Sequence, residues 1–274
     1  MDRMPLQNVP FRSRWILLDP YETATETVVA NAGDLAVGWA MDEKTRNVSG
    51  SLCPAMASAD ILGDKWTLLL LREMFLGTTR FGGFQKAIPR MSPSILSKRL
   101  KTLEAAEIIV RKPSATMQAV EYRLTRSGRE LGPIVESMAI WGMRWRKRSI
   151  AAQDCDVGGF MWDFHRTLKT QGLPDGETVI LVQISDRIDL NTWWVIANGD
   201  AVDLCPDDPG HDVDIYLTAP LATLVALWLG DISVKDATDA RSAFIDGDRH
   251  LINSAQDWMA QSPLVGVQPA SSER

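Results

Sequence analysis

The stretch RMSPSILSKRLKTLEAAEIIVRKP, residues 90–113, combines two kinds of surface in one short segment. It holds six basic residues, although the whole chain is acidic with a formal net charge of −6. Ser92 is a good N-cap, and Pro93 suits the first turn of a helix because a proline needs no N–H partner there. The sequence therefore predicts a helix from Pro93 to about Ala106.

The two faces of this predicted helix differ in chemistry. Leu96, Leu100 and Leu103 follow an i, i+4, i+7 spacing, so they share one face and are expected to hold the helix to a core. The opposite face presents hydroxyl and cationic groups, and its members are Ser94, Ser97, Lys98 and Lys101, with Arg99 near the border.

The segments on either side complete a known arrangement. A helix is predicted from Pro54 to Gly63, a second one is capped by Asp64, and a short helix covers residues 81–88. Two strands around a turn at residues 113–115 follow the leucine-anchored helix. This order is typical of a winged helix-turn-helix, in which the second helix of the pair enters the major groove and the hairpin contacts phosphates. The alternative is a solvated cationic face on an ordinary helical domain.

Charge is divided unevenly along the chain. Residues 51–150 carry 17 Lys+Arg against 8 Asp+Glu, a balance of +9, whereas residues 151–274 carry 7 against 20, a balance of −13. An asymmetry of this size indicates two parts with different partners, and the basic part suits a polyanion.

Several motifs occur in one order between residues 51 and 148, namely a Cys-Pro start, GDKWTLLLLRE, RFGGFQKAIP, SPSILSKRLKTLE and YRLTRSGREL, followed by a tryptophan-bearing last helix. This region resembles the HxlR family of bacterial transcriptional regulators. The resemblance implies a winged-helix dimer that binds double-stranded operator DNA. The candidate DNA-binding residues are Arg80, Ser92, Ser94, Ser97, Lys98, Arg99, Lys101, Arg111, Lys112 and Arg123.

The last helix of this region is predicted to begin at the Thr125 cap and to mediate dimerisation. A single winged-helix domain has too little core to cover the whole apolar stripe of this helix. The stripe consists of Leu131, Ile134, Val135, Met138, Trp141 and Trp145. Two alternatives for covering this stripe are a partner subunit and the C-terminal part of the same chain. Pro133 lies in the first turns, where a kink is expected.

Three cysteines without paired spacing argue against a disulfide framework or a zinc cluster and fit a cytoplasmic protein. Cys53 precedes a predicted helix, where a thiol can have a lowered pKa and act as a redox sensor, as it does in some relatives that this sequence resembles. The alternative is a small apolar side chain. No apolar stretch reaches the roughly 18 residues needed to span a bilayer, and no signal peptide is evident.

The acidic second half predicts a helix, three strands, a very apolar helix at residues 219–230, a short strand and a final helix. This order resembles the sterol carrier protein-like fold over residues 155–260. That resemblance implies an α+β lobe with an apolar cavity, and the candidate ligand-binding residues are Trp194, Leu224, Trp228 and Phe244. The alternative is that the tryptophans fill a small core.

The sequence as a whole thus predicts an α+β chain, a winged helix-turn-helix domain followed by a sterol carrier protein-like lobe. The predicted division is an extension of unknown role over residues 1–40, a DNA-binding domain over 41–150, a ligand-binding domain over 151–265 and a disordered tail over 266–274. We expect a homodimeric regulator whose operator binding responds to a small apolar ligand. Rival interpretations are a small-molecule carrier with the winged helix as an assembly module, a redox sensor and, least favoured, an enzyme. No metal, cofactor or membrane partner is expected, since the three histidines lack ligand spacing.

Overall fold

The computed structural model describes residues 53–114, 119–145 and 156–270 of the chain. The predicted N-terminal extension over residues 1–40 lies outside these residues, as do the predicted domain limits near residues 41 and 151. Among the described residues, every helix is too short or too polar to cross a bilayer.

The described residues form two compact units. The first unit runs to Val135, except that the short segment Lys86–Arg90 belongs with the second unit, which continues from Glu136 onward. Both units contain helices and strands, in agreement with the predicted α+β class.

Four helices open the described chain and begin where the sequence predicts. Asp64 accepts a hydrogen bond from the N–H of Trp66, and Ser92 accepts one from the N–H of Ile95, so each side chain satisfies a backbone donor that the helix leaves unpaired. The helices are α1 (Pro54–Leu62), α2 (Lys65–Phe75), α3 (Phe81–Ala87) and α4 (Pro93–Ala105).

A two-stranded antiparallel hairpin follows α4. Its strands are β1 (Ile109–Pro113) and β2 (Val120–Leu124), and Lys112 lies opposite Glu121 in the register. The N–H of Tyr122 also donates to the carbonyl of Thr79 at 2.8 Å, which joins the hairpin to the segment before α3. The predicted strands are confirmed, and the turn residue Ala115 lies outside the described residues.

The predicted dimerisation helix is two helices in the structure. Thr125 caps only α5 (Arg126–Glu130), and α6 (Gly132–Trp145) begins after Leu131. The single-helix prediction was therefore wrong. Pro133 explains the break, because a proline has no N–H with which to continue the hydrogen-bond ladder of the preceding helix.

The second unit continues with a helix and a five-stranded sheet with further short helices. The elements are α7 (Val157–Arg166), a 3-10 turn (Thr170–Gly172), β3 (Glu177–Ile184), β4 (Thr192–Asn198), β5 (Ala201–Cys205), β6 (Ile215–Ala219), α8 (Leu221–Leu229), α9 (Val234–Asp239), β7 (Phe244–Gly247), α10 (Arg249–Asn253) and α11 (Ala255–Trp258). The sequence missed β5 and α9, and it predicted α10 and α11 as one helix.

The strand order is β5-β4-β3-β6-β7, so the sheet is not a simple meander. β6 pairs parallel to β3, which puts the almost continuously apolar β3 at the centre. Asp214 fixes this crossover, because its carboxylate accepts from the N–H of Val179 at 2.8 Å and its own N–H donates to the carbonyl of Val179 at 3.0 Å. The sheet and helices share one core that includes Phe164, Ile180 and Trp258.

Candidate nucleic-acid interface

Helix α4, the recognition helix, is anchored by its leucine face. Leu96, Leu100 and Leu103 are each 1% exposed, and burying a leucine side chain contributes about 2 kcal/mol to folding. The anchoring is therefore strong enough to fix which face of the helix meets the solvent.

The opposite face of the recognition helix carries the candidate DNA-binding groups. Ser94, Lys98 and Lys101 are exposed, and Ser97 is half-buried. The hydroxyl oxygens of Ser92 and Ser94 lie 3.0 Å apart at the N-terminus of the helix. These side chains form a polar, cationic surface of the kind that hydrogen-bonds to base edges and phosphates.

Arg99 departs from the outward orientation expected of a DNA contact. Its Nη2 donates to Oδ2 of Asp64 at 2.7 Å, and both side chains are less than a third exposed. The same aspartate caps α2. Arg99 therefore fixes α4 to α2 within the first unit, and its predicted DNA contact stays a prediction.

The wing, which we define as strands β1 and β2, adds further cations. Arg111 and Lys112 are exposed on β1, and Arg123 is exposed on β2. Arg123 and Arg80 both bind the carboxylate of Glu121, Arg123 at 2.9 Å and Arg80 at 3.2 Å. Hydrogen bonds from Arg123, Ser114 and Arg80 hold the pKa of Glu121 below its ordinary value.

The sequence reasoning missed Asp64 and Glu121 as partners of the candidate cations. A signal for Glu121 exists in the sequence, since Glu121 and Arg123 are two residues apart on a strand and so share a face. No comparable signal connects Asp64 to Arg99, because 35 residues separate them along the chain.

The apolar stripe predicted for dimerisation is largely exposed on α6. Ile134, Met138 and Trp145 are nearly half exposed, and Trp141 is 59% exposed. Val135 is buried, and Leu131 is half-buried just before the helix begins. Exposed residues at spacings of four, three and four form a continuous apolar strip along one side of a helix.

Cys53 is the N-cap residue of α1 and is exposed. Hydrogen bonds from the backbone N–H groups of Met56 and Ala55 lower the pKa of its thiol, because they stabilise the thiolate. The predicted redox site thus combines an exposed thiol with a lowered pKa, and its redox role stays a prediction.

The four candidate ligand-binding residues are not brought together. Trp194 alternates with the core residues Trp193 and Val195, so it lies on the opposite face of the sheet from Leu224, which is fully buried in the core. Nε1 of Trp228 donates to Oγ1 of Thr167 at 2.9 Å, and its ring packs edge-on against Phe160. These contacts give Leu224 and Trp228 core roles, the alternative considered for the tryptophans.

Phe244 lines a cleft in the second unit. This cleft has a volume of about 570 Å³, and its lining is mixed, with Val234, Ile245 and Ile252 beside the polar residues Lys235, Thr238, Asn253 and Gln256. Among the described residues, no cluster of His, Cys, Asp and Glu has the geometry to hold a metal ion.

Comparisons with known proteins place the first unit in a family. A family model described as HxlR-like helix-turn-helix matches residues 61–150. An uncharacterised HTH-type transcriptional regulator of Synechocystis sp. is 39% identical over 98 residues, which are 35% of this chain and 73% of the relative. The HTH-type transcriptional regulator YodB of Bacillus subtilis is 33% identical over 97 residues, which are 34% of this chain and 86% of that relative.

Solved structures give matches of the same extent. The reduced form of YodB from B. subtilis is 31% identical, covers 36% of this chain and all of that chain, and has a TM-score of 0.32. The reduced redox regulator HypR is 36% identical, covers 33% of this chain and 90% of that chain, and has a TM-score of 0.31.

The family match ends at residue 150, before the five-stranded sheet begins. On the strength of the family match and of relatives covered over most of their length, the chain belongs to the HxlR-like helix-turn-helix family of transcriptional regulators.

Proposed function

We propose that this regulator is a homodimer that reads operator DNA with the recognition helix and grips the phosphate backbone with the wing. The observation that carries the proposal is the two-sided helix α4, in which three buried leucines fix an outward face with the exposed lysines Lys98 and Lys101. The neighbouring exposed cations Arg111 and Lys112 extend this surface onto β1. Cations on a hairpin beside a groove-binding helix are well placed to contact phosphates.

The test is DNA binding by the full-length chain. An operator is selected from a pool of random-sequence duplexes, and its Kd is then measured over a range of salt concentrations. We expect specific binding that weakens steeply with salt, because each phosphate contact releases condensed counterions. A chain that selects no sequence and binds duplex DNA without salt dependence contradicts the proposal and favours the carrier interpretation.

Dimerisation through α6 is the second part of the proposal. The exposed strip of Ile134, Met138, Trp141 and Trp145 supports it, since contiguous apolar patches on a soluble protein mark interaction surfaces. A two-fold dimer also matches how helix-turn-helix proteins bind two half-sites on one face of the duplex.

Modulation of DNA binding is the third part of the proposal, and two candidate inputs have support. Cys53 supports a redox response, because its thiol is exposed with a lowered pKa. The sterol carrier protein-like resemblance of the second unit supports a small apolar ligand, with the cleft beside Phe244 as its candidate site.

Native mass spectrometry of the purified protein tests the ligand, and operator binding before and after treatment with a disulfide-forming oxidant tests the thiol. A change in operator affinity of about 5- to 150-fold is the size expected of allosteric coupling. An operator affinity that the oxidant leaves unchanged contradicts the redox input, and a purified protein that carries no bound small molecule contradicts the ligand input.

A further inference from the structure

Glu121 is a nearly buried carboxylate in the middle of a cationic surface. Its Oε1 accepts from Nη2 of Arg80 at 3.2 Å and from Oγ of Ser114 at 3.0 Å. Its Oε2 accepts from Nη2 of Arg123 at 2.9 Å, and Lys112 lies opposite it across the hairpin. Both oxygens are therefore used within the first unit, and the carboxylate acts on the groups around it.

The two arginines that Glu121 binds come from different parts of the chain. Arg80 immediately precedes α3, the first helix of the helix-turn-helix pair, whereas Arg123 lies on β2 of the wing. The ion pair between Arg80 and Glu121 spans 41 residues of sequence, and the backbone hydrogen bond from Tyr122 to Thr79 runs beside it. Glu121 thus ties the wing to the start of the helix-turn-helix at one point.

The side chains of Arg80 and Arg123 are 42% and 53% exposed, so both remain accessible to a ligand in solution while they bind Glu121. An arginine carries five N–H donors in a rigid planar fork, so one hydrogen bond to a carboxylate restricts the positions that the other donors can take. A side chain that is ordered before binding loses less conformational entropy when it meets its ligand.

We propose that Glu121 is a positioning residue of the DNA interface, which holds Arg80 and Arg123 together so that both guanidiniums meet neighbouring phosphates. The inference rests on the proposed DNA-binding function. The direction in which DNA affinity changes when Glu121 is replaced distinguishes positioning from charge. If charge alone mattered, removing an acid from a DNA-binding surface would strengthen binding, whereas loss of positioning weakens it.

The experiment compares the full-length Glu121→Gln variant with a matched control, Glu130→Gln. Both changes remove one negative charge from the first unit, but Glu130 forms an exposed pair with Arg126 and binds neither Arg80 nor Arg123. The probe is a mixed-sequence DNA duplex of about 30 base pairs, because phosphate contacts are independent of sequence. We expect Glu121→Gln to bind about tenfold more weakly, with a salt slope smaller by about one, and Glu130→Gln to bind as tightly as wild type or more tightly.

A double-mutant comparison separates positioning from a merely structural role. In a background that carries Arg80→Gln and Arg123→Gln, the further change Glu121→Gln is expected to cause no additional loss of binding, because its effect passes through the two arginines. Circular dichroism confirms that each variant is folded. Should Glu121→Gln fail to fold, Glu121→Asp keeps the charge but is too short to bridge both arginines, and it is expected to weaken binding likewise.

Binding by Glu121→Gln that equals or exceeds wild type overturns the positioning role, as does wild-type binding by Glu121→Asp where that variant replaces it. The positioning role is also overturned if Glu121→Gln weakens binding by the same factor in the background that carries Arg80→Gln and Arg123→Gln. Failure of the proposed function itself looks different, because wild type then binds no duplex even at low salt.

Discussion

Nη2 of Arg99 lies 2.7 Å from Oδ2 of Asp64, and this ion pair joins the recognition helix to the N-cap of α2. The second carboxylate oxygen of Asp64, Oδ1, accepts from the N–H of Trp66 at 2.9 Å. One side chain therefore both starts α2 and anchors α4. Because Asp64 forms both the cap and the ion pair, truncating its side chain should lower the free energy of unfolding more than removing its charge alone.

The first prediction concerns this pair and the stability of the first unit. We expect Asp64→Ala to lower the free energy of unfolding by about 1–2 kcal/mol, because it removes the cap and the ion pair together. Asp64→Asn keeps an oxygen that can cap the helix, so it should cost less than about 1 kcal/mol. Urea unfolding followed by circular dichroism measures both, and equal losses in the two variants would show that the cap contributes nothing.

The second prediction distinguishes the recognition helix from the wing. We expect Lys98→Ala to weaken binding to the selected operator by about 1–3 kcal/mol while changing binding to random duplexes less, because a side chain at the groove reads base edges. Lys112→Ala should weaken both alike and reduce the salt slope by about one, because a phosphate contact carries no sequence information. Fluorescence anisotropy at several salt concentrations measures both effects. Identical, salt-insensitive behaviour of the two variants contradicts the assignment.

The third prediction concerns the apolar strip on α6. Trp141 is 59% exposed, and we expect Trp141→Lys to convert the dimer into a monomer, because a buried lysine without a partner is costly at an interface. Ile188→Lys is the matched control, since Ile188 is 93% exposed and lies outside this strip. Light scattering after gel filtration measures the mass. A wild-type chain that is monomeric at micromolar concentration refutes dimerisation by this strip.

The fourth prediction concerns the thiol of Cys53. Because backbone hydrogen bonds lower the pKa of Cys53, its thiolate should be present at lower pH than that of an ordinary cysteine, whose pKa is about 8.5. We therefore expect Cys53 to be alkylated by iodoacetamide faster than the half-buried Cys205 at neutral pH, in a background carrying Cys155→Ser. Peptide mass spectrometry follows each site. A rate for Cys53 that rises only around pH 8.5 contradicts this reactivity.

The fifth prediction concerns His165 in the second unit. Burial, with a smaller effect of the neighbouring Arg166, lowers the pKa of His165 to about 4, and its ring packs against Trp162. The unfolded chain binds a proton near pH 6.5 and the folded chain does not, so stability is fully present above pH 6.5 and falls as the pH drops toward 4. The loss should be on the order of 2–3 kcal/mol.

Denaturant unfolding at several pH values between 4 and 7 measures this dependence. His165→Gln cannot gain a proton, so its stability should vary less with pH than that of wild type over the same range. Parallel curves for the two proteins would show that His165 does not titrate as its burial requires.

The sequence alone determined the helix-turn-helix, because its signals are local. The caps Asp64 and Ser92, the prolines at helix starts and the leucine spacing each act within one or two turns of a helix, and all appear in the structure as predicted. The hairpin was likewise predictable from its short apolar runs. The sequence predicted a kink at Pro133 but not two separate helices, because the apolar periodicity continues through Leu131.

Tertiary structure alone decided the partners of the charges and the order of the sheet. Arg99 is paired with Asp64, and Arg80 with Glu121, across 35 and 41 residues of chain, distances over which no periodic pattern extends. Strand β6 passes over its neighbours in sequence to lie parallel to β3. Packing also decides which face of the sheet α8 covers, and Trp194 lies on the face opposite the core that holds Leu224. Local sequence specifies how each element begins and which face it buries, whereas packing among distant elements decides which side chains meet, since those contacts form only when the chain folds back on itself.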